Sequence, residues 1–400
     1  FVMIIDGVPM HLEQCFFIFW AAGSAELFKD RLPGFIDLRG QLGIQLYSEF
    51  GKVRVRICYD RHLGREVAVV ELETGSQAAA EPSDAAEPGE PAEPADQGKQ
   101  GALTDATGSA APEGTTWFLR EARVLGQLAH PSLLPVHELG KRADGSYYYT
   151  TRRLQGRTLA AALKACKTLV DRQALLPRLV DLCHGLAHAH GRGVLHRDLR
   201  PEHVVLGELG ETVILGWRRA RVRGQRDIWA AELTRELKTL SDAEAGLTSG
   251  VPAIPPPCYQ SPEQARGELE ALDERSEVWT LGAILYEVLT GRPPFRGETP
   301  WEVLAKVKAE PLVPAEKVND TLPRELAAIC ARALDRSPAD RYPSAAAMAA
   351  DLEAYMTGGN VKAHEPTSWE LALGFVARNK VLTAAAVFFL ALLLAGAGLL

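Results

Sequence analysis

Apolar and polar residues alternate from Leu46 to Glu71, the period of strands with one covered face. Residues 74–114 break the pattern with Ala, Pro, Glu, Gly, Ser and Asp and almost no large apolar side chain. Such a tract cannot bury enough surface to offset its ordering entropy, so it reads as a disordered acidic insert and spacer. Thr115 or Thr116 then suits a helix N-cap, and Trp117, Glu121, Val124 and Leu128 fall on one helical face. Tyr147 to Leu154 returns to a strand pattern, and Leu175 to His190 has helical periodicity. Residues 381–400 carry no charge and at about 1.5 Å per residue cross a hydrocarbon core of roughly 30 Å. Arg378 and Lys380 precede this span and place the preceding residues on the cytoplasmic side. Residues 1–40 receive no role, because Asp6, His11 and Glu13 interrupt their apolar patches and fit neither a leader nor a span.

Composition narrows the classes. With 46% hydrophobic and 24% charged residues, the 400-residue chain can build a sizeable core. A net charge of −7 supplies no global basic field, so nucleic acid is not an expected partner. Six cysteines without C-x-x-C pairs read as ordinary thiols, and no metal site is assigned. The chain opens without Met and closes inside an apolar run, which suggests a piece of a longer protein.

The candidate chemistry centres on Val194-Leu-His-Arg-Asp-Leu-Arg-Pro201. It resembles the H-R-D-L-x-x-x-N catalytic loop of protein kinases, whose Asp accepts the substrate hydroxyl proton. Further fragments follow in that family's order. Leu46 to Val53 lies where the glycine-rich loop falls, Arg65-Glu-Val-Ala-Val-Val70 resembles the third strand, and Phe118 to Leu125 resembles the C-helix. Glu277 to Gly282, Leu289 to Phe295 and Leu334 to Pro343 are similar to the closing motifs of bacterial membrane-anchored serine/threonine kinases.

The resemblance implies an α+β, two-lobed protein-kinase-like fold: a small antiparallel β lobe with one helix, a larger helical lobe, then a transmembrane helix. Its parts are an N-lobe over 41–154 holding the insert, a C-lobe over 155–356, a juxtamembrane linker over 357–380 and the span 381–400. It assigns Asp198 as base and Arg200 to the usual lysine position beside the γ-phosphate. Gly51, Val53, Ala68, Thr151 and Val205 form the nucleotide slot, and Glu121 is the C-helix glutamate. Leu125, His196 and Trp217 stack as a regulatory spine, and Arg341 pairs with Glu263. Glu277 stands where the family has Asp.

The departures are electrostatic. The strand lysine is Val70, the catalytic-loop Asn is His203, the D-F-G motif is Gly216-Trp217-Arg218, and only Gly51 remains of three loop glycines. Lys52 reads as a solvated surface lysine rather than a substitute, which leaves Glu121 without a counterpart. ATP is expected to bind weakly and magnesium not in the usual way. The leading expectation is a pseudokinase in the cell membrane that works through other signalling proteins, an active kinase among them. Two alternatives stay open: an active serine/threonine kinase using His203 or Glu202 on the metal, and a receptor with an exterior sensor.

Overall fold

A computed structural model of the chain describes residues 2–5, 8–11, 43–48, 51–60, 65–73, 113–142, 145–244 and 257–364. Seven antiparallel strands form the small lobe: β1 (Val2–Ile5), β2 (Val8–His11), β3 (Gly43–Ser48), β4 (Gly51–Asp60), β5 (Arg65–Glu73), β6 (Val136–Lys141) and β7 (Tyr147–Arg152). Their spatial order is β2-β1-β3-β4-β5-β7-β6. The register sets Val53 opposite Leu72, Ala68 opposite Thr151 and Val70 opposite Tyr149. Alternate residues of a strand share a face, so this register puts Val53, Ala68 and Thr151 within reach of one slot.

Two expectations about this lobe need correction. Residues 1–40 contribute β1 and β2, which extend the sheet beyond β3 through Val2 and Tyr47. The helix α1 spans Glu113–Gln127, starting before Thr115, which is buried within its first turn. The insert up to residue 112 lies outside the described residues.

The larger lobe is helical because long stretches of its sequence are apolar at helical spacing. Helix α2 (Leu176–Gly191) packs on α5 (Ala345–Met356), while α3 (Glu274–Thr290) lies buried along most of its length against α4 (Arg324–Ala333). Leu182, Leu186, Ile284, Leu285 and Ile329 are fully buried in one core. Each such side chain contributes roughly 1.5–3 kcal/mol relative to exposure. Helix α3 starts in a capping box between Asp273 and Ser276 and ends at Gly291, whose φ of +76° is the left-handed value glycine supplies. Within α3, a Cβ at Gly282 would come 2.8 Å from that of Ala333, so glycine permits this close helix approach.

The lobe also ends later than residue 356. The Asp351 carboxylate accepts from the backbone N–H groups of Lys362 and Ala363 and from the Tyr342 hydroxyl, and Val361 is buried. The expected linker thus begins with residues pinned to the core by the Asp351 carboxylate. Among the described residues no helix is long and apolar enough to cross a membrane; residues 381–400 lie outside them.

Between the lobes run β8 (Gly156–Thr158), β9 (Val194–Leu195), β10 (Val204–Gly207), β11 (Thr212–Ile214) and β12 (Arg221–Val222). Pairing of β8, β10 and β11 puts Val205 opposite Thr158 and Val213, and the β9–β12 pair brackets the catalytic-type loop.

Candidate active site

Residues 196–203, between β9 and β10, are held from below by α3. Glu277 accepts the Arg197 backbone N–H at 2.6 Å and pairs with His190 Nε2 at 2.6 Å, while Gln264 donates to the Arg197 carbonyl at 2.8 Å. Glu277 therefore works as a structural acceptor beneath the loop. Burial alone would raise its carboxyl, but the bond to His190 and neighbouring charge hold it below the ordinary range.

Arg197 has a left-handed φ of +66° and points its guanidinium into the segment after Trp217. It grips Asp227 with two bonds of 2.6 and 3.0 Å and donates to the Arg219 carbonyl. Asp227 also accepts the Trp229 N–H, and Trp229 stacks on Trp117 of α1 with ring centroids 4.4 Å apart. Arg120 of α1 donates to the Arg226 carbonyl. These contacts fix α1 to the segment. Sequence reasoning missed Asp227, whose signal is that it is the first acid after Glu211 in an arginine-rich run.

Asp198 lies beside two guanidinium groups, those of Arg200 and Arg219, and the His203 ring. Burial would raise its carboxyl, but His203, Arg200 and Arg219 hold it down at about 2. It is an ionised, weak base. His203 occupies the place expected for a metal-binding Asn, and both of its ring nitrogens are committed. Nδ1 lies 2.6 Å from the Asp198 carbonyl, which only accepts, so Nδ1 carries the proton. Nε2 faces Arg200 at 3.2–3.3 Å, and a guanidinium only donates, so the Nε2 lone pair is used there. Burial then pushes the ring down to about 3.

Gly216 begins the equivalent of the D-F-G motif with φ +80° and ψ +33°. A Cβ there would meet His203 Nδ1 at 2.7 Å, so the two positions fit only as they stand. Trp217 follows, fully buried, edge-on to His196 at 4.6 Å, with Leu125 in the same core. His196 Nε2 donates to the Leu215 carbonyl at 2.8 Å. No carboxylate stands at 216, both His203 ring nitrogens are committed, and the described residues contain no group of three or more His, Cys, Asp or Glu placed to hold a metal ion.

Above the loop lies a cavity of about 240 Å³. Val53, Ala68, Thr151 and Val205 line it, together with Glu121. Gly51 opens β4, paired with Ser48 at the strand turn, and Asp198 and Arg200 contact His203 without lining the cavity. Val70 also lines the cavity, an apolar side chain on the wall shared with Glu121. The expectation that Glu121 stands without a counterpart is corrected here, since Arg218 lines the same cavity and its charge acts on Glu121. Burial raises the Glu121 carboxyl, and Arg218 offsets part of that. Arg218, the residue after Trp217, thus brings a cation to the cavity wall that no reading of strand β5 alone could find.

Two lobes around a cleft, a C-helix glutamate facing it and an H-R-D loop beneath it define a protein kinase domain. The protein tyrosine and serine/threonine kinase family matches residues 93–352, and the chain belongs to that family. It is 35% identical over 243 residues to a probable serine/threonine-protein kinase of Corynebacterium efficiens, covering 59% of this chain and 34% of that protein. It is 32% identical over 239 residues to serine/threonine-protein kinase PknB of Mycolicibacterium smegmatis, covering 59% of this chain and 35% of that one. PknB of Mycobacterium tuberculosis is 29% identical over 272 residues, covering 67% and 39%. The chain thus spans about a third of the length of the curated relatives it matches.

Proposed function

We propose that this serine/threonine-kinase-like domain is a pseudokinase: it keeps the kinase frame and signals by binding other proteins, an active kinase among them. The observation that carries the reading is the pair at 203 and 216, a histidine with both nitrogens spent packed against a glycine. Phosphoryl transfer depends on positioning and charge neutralisation, and losing one such group costs roughly 2.7–4 kcal/mol of transition-state stabilisation. ATP, on this reading, binds weakly and with little response to magnesium. Residues 381–400 tether the domain to the cell membrane as a single pass with the kinase-like part in the cytoplasm.

The test is phosphoryl transfer by the full chain from magnesium-ATP to itself or a generic protein substrate; the expected result is none. A second reading, an active serine/threonine kinase, draws on Asp198, which is ionised and in place, and on relatives named as kinases. Transfer that disappears in Asp198→Ala would establish that reading instead.

A further inference from the structure

The cleft's walls and its charges point in different directions from those a nucleoside triphosphate needs. Besides Thr151, its lining includes Phe118, Leu125, Tyr149 and Ile214, together with the short apolar Val70. Ligand sites of this kind are mostly apolar, with a few polar groups that fix orientation. One such group is present: the Thr151 hydroxyl is buried at 2% exposure, lines the cavity and has no hydrogen-bond partner among the described residues. A buried polar atom left unpaired costs free energy that a bound molecule would recover.

The charged groups at the wall offer no surplus for phosphates. Arg218 shares the wall with Glu121. Arg152 reaches Glu211 at 3.5 Å. His203 stays neutral, and its Nε2 holds Arg200, while Glu202 adds a carboxylate to the wall and Asp198 another beside His203. A triphosphate brings about four negative charges, and in a low-dielectric cleft these need cations or metal to offset them.

We propose that this cleft binds an uncharged, flat heteroaromatic molecule of nucleoside size in preference to a nucleoside triphosphate, the apolar walls sandwiching the ring and Thr151 bonding its edge. The proposal rests on the loss of metal-assisted transfer argued above, and concerns what the same slot now holds.

Isothermal titration of the full chain with adenosine, with ATP in EDTA and with ATP in excess magnesium tests it. Adenosine should bind about tenfold tighter than either form of ATP, since the phosphates bring repulsion with no partner. Thr151→Val, which keeps the side chain's shape, should weaken adenosine about three- to tenfold, the loss of one hydrogen bond. Ala68→Leu, which fills the slot, should abolish adenosine binding with the melting temperature retained. Val70→Lys should close the gap between ATP and adenosine by supplying a cation. ATP binding as tightly as adenosine, or no adenosine binding at millimolar concentration, overturns the proposal. An unchanged adenosine affinity in Thr151→Val also overturns it. Phosphoryl transfer would overturn the pseudokinase reading on which the proposal rests, whereas a wrong order of affinities without transfer would overturn the proposal alone.

Discussion

A Cβ placed on Gly216 would sit 2.7 Å from Nδ1 of His203, closer than real side chains approach. Asp is among the residues that tolerate a left-handed backbone, so the ring is the greater obstacle to an acid there. Gly216→Asp alone should lower stability by about 1–3 kcal/mol through overpacking. With His203→Asn the smaller side chain makes room, and much of that loss should return. A urea-denaturation double-mutant cycle checks this, with an expected coupling of about 0.5–3 kcal/mol. Additive losses would mean that the two positions do not oppose each other.

The ion pair beneath the segment's end is a second test. Arg341 and Glu263, with side chains 0% and 4% exposed, meet at 2.7 and 3.0 Å, and Ser276 completes the carboxylate's bonds. Arg341→Met leaves a buried carboxylate unpaired and should cost about 3–5 kcal/mol. Arg341→Met with Glu263→Leu removes both charges and should recover a large part. Denaturant midpoints compare the three proteins. A single variant as stable as the parent would show that water reaches Glu263.

How far the sequence could be read follows from how local each signal is. The kinase resemblance grouped Val53, Ala68 and Thr151, and the observed register, with its period of two, brings the three to one cavity. The Arg341–Glu263 pair was legible through the resemblance to the family's closing motifs. Long-range electrostatics were not: Arg218 acts on Glu121 across almost a hundred residues, and Asp227 finds Arg197 only after the chain folds back. Nor could spacing show that His203 spends both nitrogens, since Arg200 and the Asp198 carbonyl converge on it through loop geometry. β1 and β2 were missed because four-residue strands carry too short a pattern to stand out.

Asp227 should govern the order of the segment after Trp217. It takes both ends of the Arg197 guanidinium, whose side chain is 2% exposed, and caps Trp229, so Asp227→Ala leaves that cation without its pair. The expected cost is about 3–5 kcal/mol. The segment carries Arg218, Arg219, Arg221, Arg223 and Arg226, so trypsin should cut it faster in the variant than in the parent. Equal cleavage rates would show that Trp117 against Trp229 holds the segment without the ion pair.

The last expectation concerns acid. His203 is held at about 3 in the fold against an ordinary 6.5, so between those values the unfolded chain takes up a proton that the folded chain refuses. Stability contributed by its neutral form is therefore present above about pH 6.5 and lost as pH falls, by about 1.4 kcal/mol per unit, until pH 3. His196, also lowered by burial, slopes the same way; Glu121 and Glu287, raised by burial, slope the other way. Asp198, Glu263 and Glu277 are lowered carboxylates whose loss begins only nearer their ordinary values. All of these remain in His203→Asn, where Asp198 also loses His203 from the groups that hold it down, so the difference between the two proteins reports His203 together with its effect on Asp198. Unfolding free energies measured from pH 7.5 to 4.5 should fall less steeply in His203→Asn than in the parent. Parallel curves would mean that His203 protonates in the folded protein, releasing the Nε2 contact with Arg200 that argues against metal binding.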